Sequence, residues 1–154
     1  MIKKRHAQKA AQAGVDGLIL VCAGAGGHAG THNPMPFVRE VKEFFDGTIL
    51  LSGAMSSGQD VASALQMGAD FAYMGTRFIN TDESKATDEY RDMIIAAGCS
   101  DIVYTAAISG VSANFLGASL QAAGITEEQM KAKVKIDFGK ELDTEAKALS
   151  LIHI

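Results

Sequence analysis

"GTILLSGAMSSGQDVASALQMGADFAYMGT", residues 47–76, decides how this chain folds. "GTILLSGA" holds a short apolar run, the mark of a strand buried on both faces. Small residues follow in "GAMSS", and Ser57 can cap a helix over about residues 58–67. "ADFAYMGT" then reads as a second strand. Strand, helix and strand in succession make the βαβ unit of a parallel sheet, whose crossover is right-handed.

The same alternation extends outward. Residues 3–13 carry alanines and lysines in helical style and stop at Gly14, a good residue to end a helix. "DGLILVCA" is another buried strand. Asn33 caps a following helix that has Pro34 in its first turn and runs to about residue 45. Beyond the central unit, residues 83–97 read as a helix closed by Gly98, and "DIVYTAAI" as a further strand. Helices are expected near 112–123 and 127–135, the second opened by Thr126 with Gln129 as its capping-box partner. The fold class is therefore α/β. The first three strands run into the glycine-bearing segments "AGAGG", "SGAMSSG" and "MGT". Parallel α/β sheets bind ligands at the carboxyl ends of their strands, which gathers these loops on one working face.

Bulk properties narrow the function classes. A chain of 154 residues supplies one domain with a sizeable core. Its formal charge of −4 and pI near 5.5 leave no basic stripe for nucleic acid. No apolar run approaches the ~18–20 residues of a membrane span, and "MIKKRHAQKAAQAG" holds no signal-peptide core, so a cytoplasmic location without a membrane partner is expected. Cys22 and Cys99 make neither a disulfide framework nor a zinc site, and Cys22, inside an apolar run, reads as a buried thiol.

Two kinds of loop can carry chemistry. In "SGAMSSGQD" a strand runs through small residues into a capped helix, where backbone N–H groups and the helix dipole can hold an anion such as phosphate. In "YMGTRF", Gly75 and Thr76 offer two more N–H groups and a hydroxyl. Either loop alone reads equally as a tight turn using glycine for its dihedral freedom; their occurrence in consecutive units favours phosphate. In the first loop, His28 is flanked by Gly26, Gly27, Ala29 and Gly30, so a flat ligand can lie against the backbone. A neutral imidazole there can take a proton from a carbon acid, its ordinary pKa of ~6.5 suiting a general base. A turn histidine bonded to a neighbouring carbonyl is the other reading, and the loop by itself leaves both open. His28 and His32 cannot share a helical face because glycines and Pro34 intervene, so no metal is expected. Arg77 can reach a phosphate or pair with a carboxylate, Asp70 reads as structural, and "YTAAISGVSANFLG" either walls a small pocket or packs on the sheet.

"AGAGGHAG", "SGAMSSGQDVASALQMGADFAYMGTRF" and "SGVSANFLGASLQAAGI", in this order and at these distances, resemble the nitronate monooxygenase family, formerly called 2-nitropropane dioxygenases. The resemblance covers roughly residues 5–125. It implies a TIM (β/α)₈ barrel with FMN at the carboxyl ends of its strands and an extra α-rich C-terminal region. On that template the chain is a fragment that begins in the helix before strand six, with strands six, seven and eight at 16–22, 48–52 and 70–74. His28 matches the catalytic histidine of the family's GGH motif, the base that deprotonates the carbon beside a nitro group. Gly26 and Gly27 would line the flavin. Gly53 and Ala54 fall where the family has two glycines whose N–H groups hold the FMN phosphate, and Tyr73, Met74, Gly75 and Thr76 match the other half of that site. The implied reaction is the FMN-dependent oxidation of a small-molecule nitronate or similar carbanion by dioxygen. A flavin-dependent enoyl reductase and a non-catalytic FMN- or phosphate-binding module are the alternatives.

The chain departs from the family pattern at Ala54 (usually glycine), Gln59 (usually arginine), and Val21 and Gly24 (often glutamine and glutamate). Without five earlier strands, FMN binding is expected to be weak and apolar strand edges exposed. Residues 1–125 make the partial flavin-binding domain and 126–148 a mixed-charge helical tail. The closing "LSLIHI", 149–154, matches one reading frame of a transposase end sequence used in sequencing libraries and is expected to be read-through, a frayed natural C-terminus being the other reading.

Overall fold

The computed structural model describes residues 1–131; the expected tail beyond residue 131 and the "LSLIHI" end lie outside them. The chain runs α1 (Lys4–Gln12), β1 (Gly17–Val21), β2 (Gly27–His28), α2 (Pro34–Lys42), β3 (Thr48–Ser52), α3 (Gly58–Gln66) and β4 (Phe71–Ala72). A 3₁₀ turn, Thr76–Asn80, leads to α4 (Asp88–Ala96), and a second, Cys99–Asp101, to β5 (Ile102–Thr105). Then follow β6 (Ala113–Leu116), α5 (Gly117–Ala122) and α6 (Glu127–Lys131). These elements form two compact units: Met1–Ala25 with Ala29–Met74, and Gly26–His28 with the described residues from Gly75 onward.

The first unit is built on a parallel sheet of order β1-β3-β4, as the alternation of strands and helices requires. Its helices start where the sequence marks them. The Asn33 side chain accepts the Met35 N–H at 3.0 Å, with Pro34 in the first position of α2. At α3, Ser57 Oγ accepts the Asp60 N–H at 3.3 Å while Asp60 Oδ2 accepts the Ser57 N–H at 2.8 Å, a closed capping box. Strand alternation sends Leu18, Leu20, Ile49 and Leu51 into one core with Phe37, Val38 and Val41 of α2, Ala64 of α3 and Ala7 of α1. Each fully buried leucine there contributes about 1.5–3 kcal/mol.

The strands are not buried on both faces. Ile19, Leu50 and Phe71 share one register row across the sheet, with Ile19 39% and Phe71 58% exposed. Among the described residues the helices of this unit bring their apolar side chains to the opposite face, so alternation leaves this row uncovered. The third strand is also shorter than expected, Phe71–Ala72 instead of 70–74, although the Tyr73 N–H still donates to the Leu51 carbonyl at 2.8 Å. Its entry is fixed by Asp70, whose N–H donates to the Ile49 carbonyl and whose Oδ2 accepts the Ile49 N–H, both at 2.8 Å. Nor does the chain open inside a helix. The Met1 ammonium donates to the Ile19 carbonyl and the Met1 carbonyl accepts the Val21 N–H, which is a parallel bridge on the outer edge of β1.

The second unit holds an antiparallel sheet of order β2-β6-β5. Residues 112–123 are not one helix: Ala113–Leu116 is a strand, and Gly117–Ala122 alone is helical. Pairing with β5, which buries Ala113 and Phe115 against Leu120 and Met130, overrides the helical propensity of this stretch. The helix expected from 83 starts only at Asp88, because the Thr87 side chain caps it by accepting the Tyr90 N–H. The expected cap of α6 is present, with the Thr126 N–H donating to Gln129 Oε1 at 2.8 Å. No helix among the described residues is long and apolar enough to cross a membrane.

Candidate functional site

In the first unit the candidate residues lie just beyond two neighbouring strand ends. Gly53 follows β3, is buried and has φ +142°; a Cβ there would lie 2.7 Å from the Ala23 carbonyl oxygen and 3.1 Å from Cys22 Cβ. Only glycine meets both conditions. Ala54 follows in the left-handed region at φ +52°, the one such non-glycine residue among those described. Its N–H donates to the Gly24 carbonyl at 3.0 Å, so one of the N–H groups expected to hold phosphate is committed within the chain. Across the sheet, Tyr73 is 49% exposed and Met74 half-buried. The N–H groups of Gly53 and Met74 make no hydrogen bond to the described residues.

The first turn of α3 is also less open to an outside anion than its sequence implies. Asp60 Oδ2 accepts the Ser56 N–H at 2.9 Å, and the Ser57 N–H and hydroxyl each at 2.8 Å. These bonds, the Ser56 N–H foremost, hold the Asp60 carboxyl below the usual aspartate range. The chain's own carboxylate thus takes donors that the sequence left for phosphate.

In the second unit, the GGH motif is not a free loop. Gly27 pairs with Asn114 and His28 with Ala113 in the antiparallel sheet, so the histidine backbone is held by β6 while its side chain is exposed. The alternation in "SANFL" is the sequence signal of that partner strand, which the expected helix over 112–123 overlooks. Gly26 packs against Thr76: a Cβ on Gly26 would lie 2.6 Å from Thr76 Oγ1. Gly75 is exposed, with nothing within 4 Å of the Cβ it lacks, and Thr76 opens the first 3₁₀ turn. The structure therefore brings Gly53 and Ala54 beside the strand that leads to Tyr73 and Met74, and, in the other unit, Gly26 beside Thr76. Both motifs pass from one unit to the other along the chain, at Ala25–Gly26 and at Met74–Gly75.

Other candidates stand apart from this chemistry. Arg77 is exposed and forms no ion pair among the described residues. Burial pushes the Cys22 thiol up to about 11, which leaves it inert near neutral pH. A cleft of about 520 Å³ in the second unit, lined by Met93, Val103, Leu116, Gln121, Glu127 and Met130 among others, includes none of the candidate site residues.

The family model for nitronate monooxygenase matches residues 3–147. The chain belongs to the nitronate monooxygenase family. It is 31% identical over 156 residues to the nitronate monooxygenase of Paraburkholderia phytofirmans, covering 92% of this chain and 43% of that one. A (3aS,4S,5R,7aS)-5-hydroxy-7a-methyl-1-oxo-octahydro-1H-indene-4-carboxyl-CoA dehydrogenase of Rhodococcus jostii is 30% identical over 116 residues, covering 75% of this chain and 33% of its own. Among solved structures, FabK from Thermotoga maritima superposes with a TM-score of 0.69 at 27% identity, over 83% of this chain and 42% of that one. The chain spans less than half the length of each of these relatives.

Proposed function

We propose that this chain is the cofactor-binding part of a flavin barrel, from about strand six to strand eight, with FMN as its cofactor. Gly53 and Met74 of the first unit hold the FMN phosphate through backbone N–H groups; in the second unit Gly75 and Thr76 continue the same motif with two N–H groups and a hydroxyl, and Gly26 and Gly27 offer a flavin a side-chain-free surface. Ala54 and Tyr73 shape that phosphate site without offering an N–H, since both of theirs are spent on the chain's own carbonyls. The observation that carries this reading is the pair of unspent N–H groups, on Gly53 and Met74, beyond neighbouring parallel strands. Strand ends of this kind are where parallel α/β folds bind phosphorylated ligands.

Bound FMN would supply the electron transfer between an oxidisable carbanion and dioxygen. The protein's part is to hold the substrate and move one proton. His28 is the general base: its neutral imidazole takes the proton from the carbon beside a nitro group. That leaves an imidazolium and a nitronate, whose negative charge rests on the nitro oxygens. This role is supported by the backbone pairing of His28 with Ala113 and by its exposed side chain, which leaves room for a small nitroalkane. Membership of the family supports this substrate class, alkyl nitronates and nitroalkanes.

The test is oxygen uptake by the FMN-supplemented chain on neutral 2-nitropropane and on its preformed nitronate. His28→Ala is expected to lower turnover of the neutral substrate about 100-fold or more, as loss of a general base does. Turnover of the nitronate, from which no proton need be removed, falls much less. Equal losses on the two substrates would remove His28 from the role of base.

A further inference from the structure

We infer that Gly24 and Ala54 form a latch that fixes the loop leading into the GGH motif against the end of β3, and that a side chain at 54 excludes one at 24. The inference rests on the proposed flavin site for its ligand, but its geometry lies wholly within the first unit. Ala54 sits at φ +52° and donates its N–H to the Gly24 carbonyl at 3.0 Å. Gly24 is itself left-handed, at φ +81°, and a Cβ built on it would lie 2.8 Å from Ala54 Cβ and 3.3 Å from Ala54 N. Between these two backbones there is room for one methyl group, and Ala54 supplies it.

The rest of the loop is tied down by the same strand end. The Cys22 N–H donates to the Ser52 carbonyl at 2.8 Å, and the missing side chain of Gly53 lets the Ala23 carbonyl approach to 2.7 Å of where a Cβ would stand. On its far side the loop is held by the Ala23 N–H, which donates to the His32 carbonyl at 2.9 Å. Residues 22–24 are thus clamped between the end of β3 and the approach to α2, and the chain leaves the clamp at Ala25 to enter Gly26, Gly27 and His28. Gly24 is a positioning residue. It touches no reacting atom; it sets where the flavin-side loop begins and turns the Ala54 N–H away from the ligand.

The latch makes a reciprocal prediction, read on the 154-residue chain by thermal melting and by fluorescence titration of FMN. Gly24→Ala incurs both the unfavourable φ and the collision with Ala54 Cβ, and is expected to lower Tm by about 5 °C or more and weaken FMN binding about tenfold. Ala54→Gly alone moves Tm by no more than about 2 °C, because relief of its left-handed strain offsets the added freedom of the unfolded chain. In Gly24→Ala/Ala54→Gly the collision is gone and only the φ penalty remains, so part of the lost Tm and of the lost affinity returns. Losses in the double variant equal to the sum of the single ones would overturn the latch. Recovery of Tm without recovery of affinity would overturn its positioning role. Recovery of Tm in chains that bind no FMN at all, wild type included, would leave the latch standing as a structural device and refute the cofactor reading instead.

Discussion

Gly53 and Gly58 are five residues apart in the same connection, and the structure assigns them opposite responses to the same substitution. Gly53 combines φ +142° with an absent side chain whose Cβ would stand 2.7 Å from the Ala23 carbonyl oxygen and 3.1 Å from Cys22 Cβ. Holding an alanine in that backbone region costs about 1–3 kcal/mol, and forcing a methyl group onto a carbonyl inside a packed site adds about 1–3 kcal/mol more. Taking about 3 kcal/mol in all, and about 2–4 °C per kcal/mol for a chain of this size, Gly53→Ala melts some 6–12 °C below the wild type. Gly58 has no atom within 4 Å of its would-be Cβ and begins α3. Gly58→Ala gains a few tenths of a kcal/mol, up to about 0.5, in helix propensity and melts level with the wild type or about 1 °C above it. Melts followed by circular dichroism at neutral pH measure both. A Gly53→Ala chain melting within about 2 °C of wild type would refute the reading of a backbone held left-handed against the β1 end. So would a Gly58→Ala chain that loses as much.

The capping role of Asp60 has a signed pH dependence. Its carboxyl is held below the usual range by the Ser56 and Ser57 donors. Its contribution is therefore complete above the ordinary aspartate pKa of ~3.9 and lost as pH falls through its lower folded value. The Tm gap between wild type and Asp60→Ala is expected to be widest at neutral pH and to close as the solution is acidified below about pH 4; a gap that widens in acid contradicts the cap. The two cysteines differ equally clearly. Cys99 is exposed, whereas Cys22 is fully buried with its thiol pushed up to about 11. A disulfide reagent added to the native chain at mildly alkaline pH should therefore titrate one thiol quickly, and the second only in denaturant. Two fast thiols would show that the end of β1 is not packed as described.

The parts of this fold that were legible in the sequence are those fixed by neighbours a few residues away. Asn33 with Pro34, and Ser57, announce the starts of α2 and α3, because a cap is satisfied within its own first turn. The run Thr48–Ser52 announces its strand because its apolar and β-branched residues suit a pleated surface. Features set by distant partners were not legible. Ala113–Leu116 alternates like a strand but is too short to be told by itself from the helix that follows, and it pairs as a strand because β5 lies on one side of it and Gly27–His28 on the other. Ile19 and Phe71 read as core because they belong to apolar runs, yet a run cannot say whether helices pack on both faces of its sheet or on one. At the candidate site the sequence marks the glycine-bearing strand ends and the histidine loop as candidates. It could not show that the Ala54 N–H is spent on Gly24, or that Asp60 takes the donors of Ser56 and Ser57. Hydrogen-bond partners among loops are a property of the folded chain.

The central claim is that the ends of β3 and β4 bind the phosphate of a flavin. Parallel titrations of the chain with FMN and with riboflavin, which share the ring system and differ in the phosphate, test it most directly. Binding of FMN tighter than riboflavin by about tenfold or more, a difference of about 1.4 kcal/mol assignable to the phosphate, is the predicted result. Equal affinity for the two, or no measurable affinity for FMN, would contradict it.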